Sequence, residues 1–429
     1  MDWSKIPDIL AIASLVCAFW SIRQRSRRLL THDAPGSDLW IIGWVLIVLH
    51  FLGFMAMSVP GLLGTLGLMI GIVALVAAAV FFTWATVPHR YDISSKWMVS
   101  VVLFTLSIFA MLMCIDGAPG WALDASAASI ALGPIAVGLI FRHNVSSPLR
   151  WLIVIMQFLL GATLLYGHHF LTSVPDFGFN AMMFTVYLGC CLHFWFAHRT
   201  GTAGAFITIG GFFAWSMVFV VAPVIGSIFP NFHLESEVWN LPKYVVAVGM
   251  LLLLLENQIE RTQYLALHDD LTKLANRRLF QDRLIGSMER ARRSETSMGL
   301  LQIDLDRFKA VNDTFGHHMG DLLLQEVAVR LEARARRSDT LARTGGDEFS
   351  LVMEEPTDRE SAEALAAKLE RLLTEPYMIA GKRIMIGGSV GVAIYPEDGL
   401  DFEALCIAAD QRMYKRKAQS SRPDELAHR

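Results

Sequence analysis

Charge is what the first 255 residues of this 429-residue chain have least of. They carry roughly 21 Asp, Glu, Lys and Arg side chains against about 56 in residues 256–429. So apolar a half belongs in a membrane, and the charged remainder reads as a soluble domain. Cysteine is scarce too: Cys17, Cys114, Cys190, Cys191 and Cys406 show neither metal-ligand spacing nor a secreted disulfide framework. They read as small buried hydrophobes. The net charge of −3 is small and mixed, which gives no support to nucleic-acid binding. Carboxylates are nearly missing from the middle of the apolar runs, which argues against a proton- or sodium-coupled transporter.

What the first half does have is length of hydrocarbon. Apolar segments cover 6–22, 39–59, 62–87, 97–115, 123–141, 150–171, 177–197, 202–229 and 241–256, and most reach the ~20 residues that span a bilayer core. In the last, Lys243 is expected to snorkel to the interface. Basic residues fall in alternate loops: Arg23, Arg25, Arg27 and Arg28, then Arg90 and Lys96, then Arg142 and Arg150, then Arg199. The intervening loops have none, and Glu235 and Glu237 precede the last span. The positive-inside rule then puts the N-terminus outside and residue 257 onward in the cytoplasm of a bacterial inner membrane. The arginines follow the first apolar run, so it is not read as a cleaved signal. His50, His168, His169, His193 and His198 are intramembrane ionisable groups able to hold a metal or haem. The plainer reading packs His50 and His193 inside and leaves the rest at interfaces. Gly67-xxx-Gly71 fits close helix packing.

The ninth span has no stop signal: Leu252, Leu255, Ile259 and Tyr264 keep a helical spacing through residues 257–267. Beyond it the pattern alternates. Helices are expected at 278–293, Gly320–Arg337, Ser361–Thr374 and Phe402–Ala418. Strands are expected at Met298–Leu305, Thr340–Arg343, Phe349–Met353 and Arg383–Tyr395, with a hairpin about Gly345-Gly346. The fold class is thus an all-α polytopic membrane domain followed by an α+β domain of ferredoxin-like type. If the first strand neighbours the hairpin, Asp304 and Asp347 meet at one sheet edge. Paired hard oxygen ligands with an open approach are what Mg²⁺ takes when it also binds phosphates. The glycines allow a phosphate or ribose close to the backbone.

Three motifs in order resemble the GGDEF-domain diguanylate cyclases: His268 through Arg277 (HDDLTKLANR), Asp304 through Asp321 within IDLDRFKAVNDTFGHHMGD, and Gly345-Gly346-Asp347-Glu348-Phe349. The resemblance covers about residues 265–422 and implies a nucleotide-cyclase palm-like fold that joins two GTP into cyclic di-GMP with release of two pyrophosphates. It implies Mg²⁺ or Mn²⁺ held by Asp304, the Leu305 carbonyl and Asp347. Guanine is read by Asn312 and Asp321 with His317 nearby, and phosphates are cradled by Phe308 and Lys309 and reached by Lys417. Asp347 or Glu348 helps deprotonate the attacking hydroxyl, and the resemblance leaves open which. It also implies an inhibitory product site at Arg336 and Asp339, in Arg336-Arg337-Ser338-Asp339. A product with two-fold symmetry made from one GTP per domain calls for a homodimer. One departure stands out: the family's closing lysine, two residues, Gly-Arg is here Lys417-Ala418-Gln419-Ser420-Ser421-Arg422, so the glycine is missing and Arg422 is displaced.

The expected domains are a multi-span region at 1–256, a helical linker at 257–267, the cyclase-like domain at 268–422 and a tail at 423–429. The leading expectation is an enzyme anchored in the lipid bilayer and regulated by its membrane half. The alternative is a catalytically silent module that senses GTP or cyclic di-GMP.

Overall fold

The computed structural model describes residues 5–29, 37–87, 92–141, 148–171, 174, 176–198, 201–229, 236–354 and 357–420. Arg90, Arg142, Arg199, Glu235 and Arg422 lie outside the described residues, as do the side chains of Arg25, Arg27, Arg28 and Glu237. The chain divides into two compact units, Met1–Ile259 and Glu260–Arg429.

The first unit is helical: α1 (Ile6–Leu29), α2 (Ser37–Met57), α3 (Leu62–Thr86), α4 (Ile93–Met113), α5 (Gly120–Ile140), α6 (Pro148–Phe170), α7 (Phe177–Ala197), α8 (Ala203–Ile228) and α9 (Ser236–Leu267). Among the described residues, nine helices are long and apolar enough to cross a membrane. Helix contact depends on missing side chains. A Cβ on Gly53 would lie 2.6 Å from the Gly67 carbonyl and from the Gly71 amide, so α2 and α3 touch backbone to backbone as Gly67-xxx-Gly71 implied.

Lys243 does not snorkel. It is buried within the helices, donates to Asn240 Oδ1 at 2.7 Å and lies over the Phe51 ring, 4.6 Å from its centroid. Asn240 and Tyr244 in turn donate to buried Asp8. A cation taken from water survives where a counter-charge and aromatic faces replace the lost hydration, and Asp8, 235 positions earlier in sequence, completes that set. Arg150, expected in a loop, is also buried and donates to Ser94 Oγ at 2.9 Å. His50 and His193 are buried with ring nitrogens on backbone carbonyls, Gly71 for His50, Gly189 and Leu149 for His193.

The second unit comprises α10 (Arg277–Ser294), β1 (Met298–Asp306), α11 (Phe308–Phe315), α12 (His317–Glu332), β2 (Thr340–Arg343), β3 (Glu348–Met353), α13 (Arg359–Leu373), β4 (Tyr377–Ile379), β5 (Lys382–Ile384), β6 (Gly387–Tyr395) and α14 (Phe402–Ser420). The main sheet runs β2-β3-β1-β6, with every pair antiparallel. That is the ferredoxin-like order for β1-α12-β2-β3-α13-β6. Strand alternation sorts the side chains onto two faces. Leu301, Ile303, Phe349 and Leu351 pack with α11–α13, whereas Leu300, Val352 and Ala393 pack with α10 and α14. Helices therefore cover both faces, where a ferredoxin-like sandwich covers one.

Three boundaries differ from expectation. The strand expected at Arg383–Tyr395 is two elements, because β5 pairs back on β4 as a hairpin while β6 joins β1. The helix expected at Gly320–Arg337 begins at His317 and ends at Glu332. The eight-residue α11 has no counterpart among the expected helices, because about two turns of apolar spacing are too short to distinguish from a loop.

Candidate active site

Asp304 is the last residue of β1 paired with β3, and its Cα partner across the ladder is Glu348. Opposed residues of an antiparallel pair share a face, so both carboxylates lie on the α10/α14 side. Past the last rung, the Leu305 amide donates to the Asp347 carbonyl at 3.2 Å. The turn is thus tied to β1 one residue beyond Asp304, and Asp304, Leu305, Asp347 and Glu348 come together from segments 43 positions apart.

The Lys417 ammonium, carried by α14, donates to Asp304. Asp306, two residues on and so on the same face, accepts from Ser389 Oγ at 3.0 Å. Burial pushes the Asp306 carboxyl above the usual carboxylate range; Ser389 and Lys417 oppose this, and Asp304 and Glu370 add to it. Glu348 is also pushed up, first by burial and then by Asp304, Asp347 and Asp410, with Arg277 opposing. Burial lowers the Lys417 pKa, but its bond to Asp304 and the charges of Asp304, Asp306 and Asp347 outweigh that and raise it. Several acids around one lysine make a site that attracts cations.

The residues fit a hard divalent ion. The charges of Asp304 and Asp347 both bear on the Lys417 ammonium, which rests on Asp304, and Leu305 ties the two segments through its amide. Among the described residues no cluster of three His, Cys, Asp or Glu could hold a metal by protein ligands alone. Mg²⁺ accepts one or two carboxylates when phosphate and water fill its other positions.

The turn is held from behind. Arg343 donates through Nη1 to Asp269, at 3.0 Å to Oδ1, and through Nε and Nη2 to the Gly346 carbonyl, at 3.1 and 2.8 Å. Asp269 also receives the Thr272 amide and hydroxyl at 2.8 and 2.7 Å. Burial would raise the Asp269 carboxyl, but the bonds from Thr272 and Arg343 hold it below the usual range. In the sequence Asp269 belongs to the first motif and Arg343 stands just ahead of the third, with nothing to join them. The local signal for Asp269 was its Asx-type turn ahead of Thr272, and nothing local signals a partner 74 positions away.

Neither glycine of the turn has positive φ. A Cβ on Gly345 would lie 2.5 Å from Glu348 Oε2, so this glycine makes room for the folded-back carboxylate. A Cβ on Gly346 would meet nothing within 4 Å. Among the described residues nothing requires a glycine at 346. Glu348 also lines a cleft of about 360 Å³ with Arg277, Gln302, Thr344, Asp410 and Tyr414.

The guanine-reading residues expected from the resemblance sit on α11 and α12. A Cβ on Gly320 would fall 1.9 Å from Asn312 Oδ1, so the two helices close on each other there and bring Asn312 beside the turn of helix that carries Asp321. Gly320 is a positioning residue to which the motif alone gives no role. His317 opens α12 and is exposed, as is Lys309 on α11. The Phe308 side chain is 9% exposed and packs in the core, so what this residue presents at the start of α11 is its backbone amide. Arg336 and Asp339 form a turn in which the Arg336 amide donates to Asp339 Oδ2 at 2.9 Å.

The family model described as "Diguanylate cyclase, GGDEF domain" matches residues 266–423. The chain is 40% identical over 239 residues to the bifunctional diguanylate cyclase/cyclic di-GMP phosphodiesterase MucR of Pseudomonas aeruginosa, across 52% of this chain and 33% of that protein. It is 36% identical over 158 residues to the diguanylate cyclase TpbB of the same organism, across 36% of each. A solved sensory box/GGDEF family protein from Caulobacter crescentus is 40% identical, covering 36% of this chain and 99% of that one, with a TM-score of 0.34. The chain spans between 20% and 36% of the length of the first curated relatives it matches.

Proposed function

We propose, from the premise that residues 266–423 belong to the GGDEF family of diguanylate cyclases, that this chain is a membrane-anchored diguanylate cyclase joining two GTP into cyclic di-GMP. The observation that carries the reading is the convergence of Asp304, Asp347 and Glu348 at one sheet edge, with Lys417 already on Asp304. Asp304, the Leu305 carbonyl and Asp347 would hold Mg²⁺ or Mn²⁺, which when bound polarises phosphate oxygens and neutralises charge on the pyrophosphate.

The chain's own residues do the rest. The amides at the start of α11, at Phe308 and Lys309, face the helix's positive end toward phosphate. Lys417 exchanges Asp304 for a phosphate oxygen. Asn312 and Asp321 hydrogen-bond the guanine edge, with His317 beside them, and Gly320 sets their spacing. Glu348, with a carboxyl already raised among like charges, is the better placed of the two acids to take the 3′-hydroxyl proton. Asp347 would be engaged in holding the metal. Two such half-sites facing across a two-fold axis complete the reaction, so the active form is a homodimer. The Arg336/Asp339 turn would bind the product's guanine and phosphate as an inhibitory site. The nine apolar helices among the described residues support a multi-pass membrane protein, and the arginines in alternate loops of the sequence support an inner-membrane orientation with the N-terminus outside and residues 268–422 in the cytoplasm.

The test is cyclic di-GMP formation from GTP and Mg²⁺ by the full-length protein in nanodiscs, beside Asp347→Ala and Glu348→Gln. Product from the wild type and at least a hundredfold loss in both variants is expected. No product from a dimeric wild type that binds GTP would replace the enzyme by the silent sensor module. That outcome is the only one that would favour it.

A further inference from the structure

The membrane-spanning unit contains a chamber of about 40 Å³ between α3, α4, α6 and α7. A water molecule needs roughly 10–15 Å³ of such space, so the chamber takes a few non-hydrogen atoms. Trp84, Met98, Val102 and Met156 give it apolar walls. The polar side chains Thr83, Thr185 and His193 at its edge are satisfied: Thr83 by Cys190 Sγ at 3.3 Å, Thr185 by the Ala181 carbonyl at 2.8 Å, His193 by two carbonyls.

Gln157 is different. It is 7% exposed, it lines the chamber, and its Oε1 is buried with no hydrogen-bond donor. A buried acceptor without a donor is costly, and the cost is recovered by whatever donates to it. Across the chamber, a Cβ on Gly189 would meet no atom within 4 Å, so this wall is held back with nothing from the chain filling the space.

We propose that this chamber binds a small apolar molecule bearing one hydroxyl, an aliphatic alcohol or its like, that enters from the lipid phase. The hydroxyl donates to Gln157 Oε1 and the first carbons occupy the space before Gly189. A longer tail continues toward lipid. An apolar pocket with one directed polar group fixes orientation and selects for that group. A hydrocarbon of the same size would leave Oε1 unpaired, and a carboxylate would bring a charge with no counter-ion among the lining residues.

The test uses the full-length protein in lipid nanodiscs and two photoreactive probes, a diazirine-bearing octanol and the matching diazirine-bearing octane. The octanol should label saturably on α4 or α6 near Met98 or Met156, with unlabelled octanol competing. Gln157→Leu should weaken that half-saturation roughly tenfold, about 1.4 kcal/mol. Gly189→Leu should abolish it, and Gly189→Ala, whose Cβ meets nothing within 4 Å, should weaken it with the melting temperature at or above wild type. Equal labelling by the octane, or saturable labelling that survives Gly189→Leu, overturns the proposal. If Gln157→Leu does not fold, the Gly189→Leu result and the probe pair decide alone. Labelling is read independently of cyclase turnover, so an inactive enzyme leaves the outcome unchanged.

Discussion

The two glycines of the turn should answer differently to the same substitution. In Gly346→Ala the new Cβ meets nothing within 4 Å and φ is not positive, so the folded state accepts it. Restricting the unfolded chain at such a position stabilises by about 0.4–1 kcal/mol. In Gly345→Ala the Cβ lies 2.5 Å from Glu348 Oε2 and 3.1 Å from its Cδ, well inside ordinary contact. That obstacle is the flexible end of a side chain, so the cost is a displaced rotamer, about 0.5–1.5 kcal/mol. Melting of the full-length protein should therefore show Gly346→Ala unchanged or slightly higher and Gly345→Ala slightly lower. Activity should invert the expectation from stability. If the open space at 346 admits GTP, a methyl there should lower kcat/KM roughly 10–100-fold, about 1.4–2.8 kcal/mol of lost transition-state binding. Steady-state rates across GTP concentration measure this directly. Wild-type kcat/KM in Gly346→Ala would refute the reasoning, as would a melting loss larger than that of Gly345→Ala.

Three other outcomes follow from named contacts. Arg343→Ala should lower stability by about 2–3 kcal/mol, because Asp269 and the Gly346 carbonyl both lose a charged donor; a double-mutant cycle with Asp269→Asn should give a coupling of roughly 1–3 kcal/mol, and additive losses would deny the clamp. Lys417→Met should lower the Mg²⁺ concentration for half-maximal turnover, since nothing then competes for Asp304, while raising KM for GTP; an unchanged metal requirement would remove Lys417 from the metal position. Asp398 accepts from Arg412, Arg359 and the Ile394 amide, and the Arg412 bond, with burial opposing, holds its carboxyl well below the usual range. A depressed carboxyl contributes stability above its unfolded pKa of about 3.9 and loses it as pH falls through the folded value. Asp398→Asn should thus cost about 1–3 kcal/mol near pH 7, discounted for the part-exposed arginines. The gap between variant and wild type should narrow in acid, and a gap that widens below pH 4 would contradict the sign.

By itself the sequence determined what depends on local pattern. Runs of about 20 apolar residues declare nine helices, because hydrocarbon thickness sets their length and backbone polarity permits little else. Asp304, Asp347 and Glu348 were legible because a strand end and a Gly-Gly turn are both written in neighbouring residues, and Gly67-xxx-Gly71 was legible for the same reason. Tertiary structure decided what depends on partners far along the chain. Lys243 was read as an interface lysine because its spacing cannot show Asp8 or Phe51 beside it. Arg343 and Asp269 stood apart until the fold joined them. That Phe308 spends its ring in the core and keeps only its amide at the start of α11 is likewise visible only in the packing. Gly346 and Gly189 owe their role to the space before them, and only neighbouring helices and strands bound that space. Periodicity is a property of adjacent residues. A cavity, a buried charge or a clamp belongs to residues that meet only after loop-closure entropy has been overcome, and for that reason it is decided by the fold.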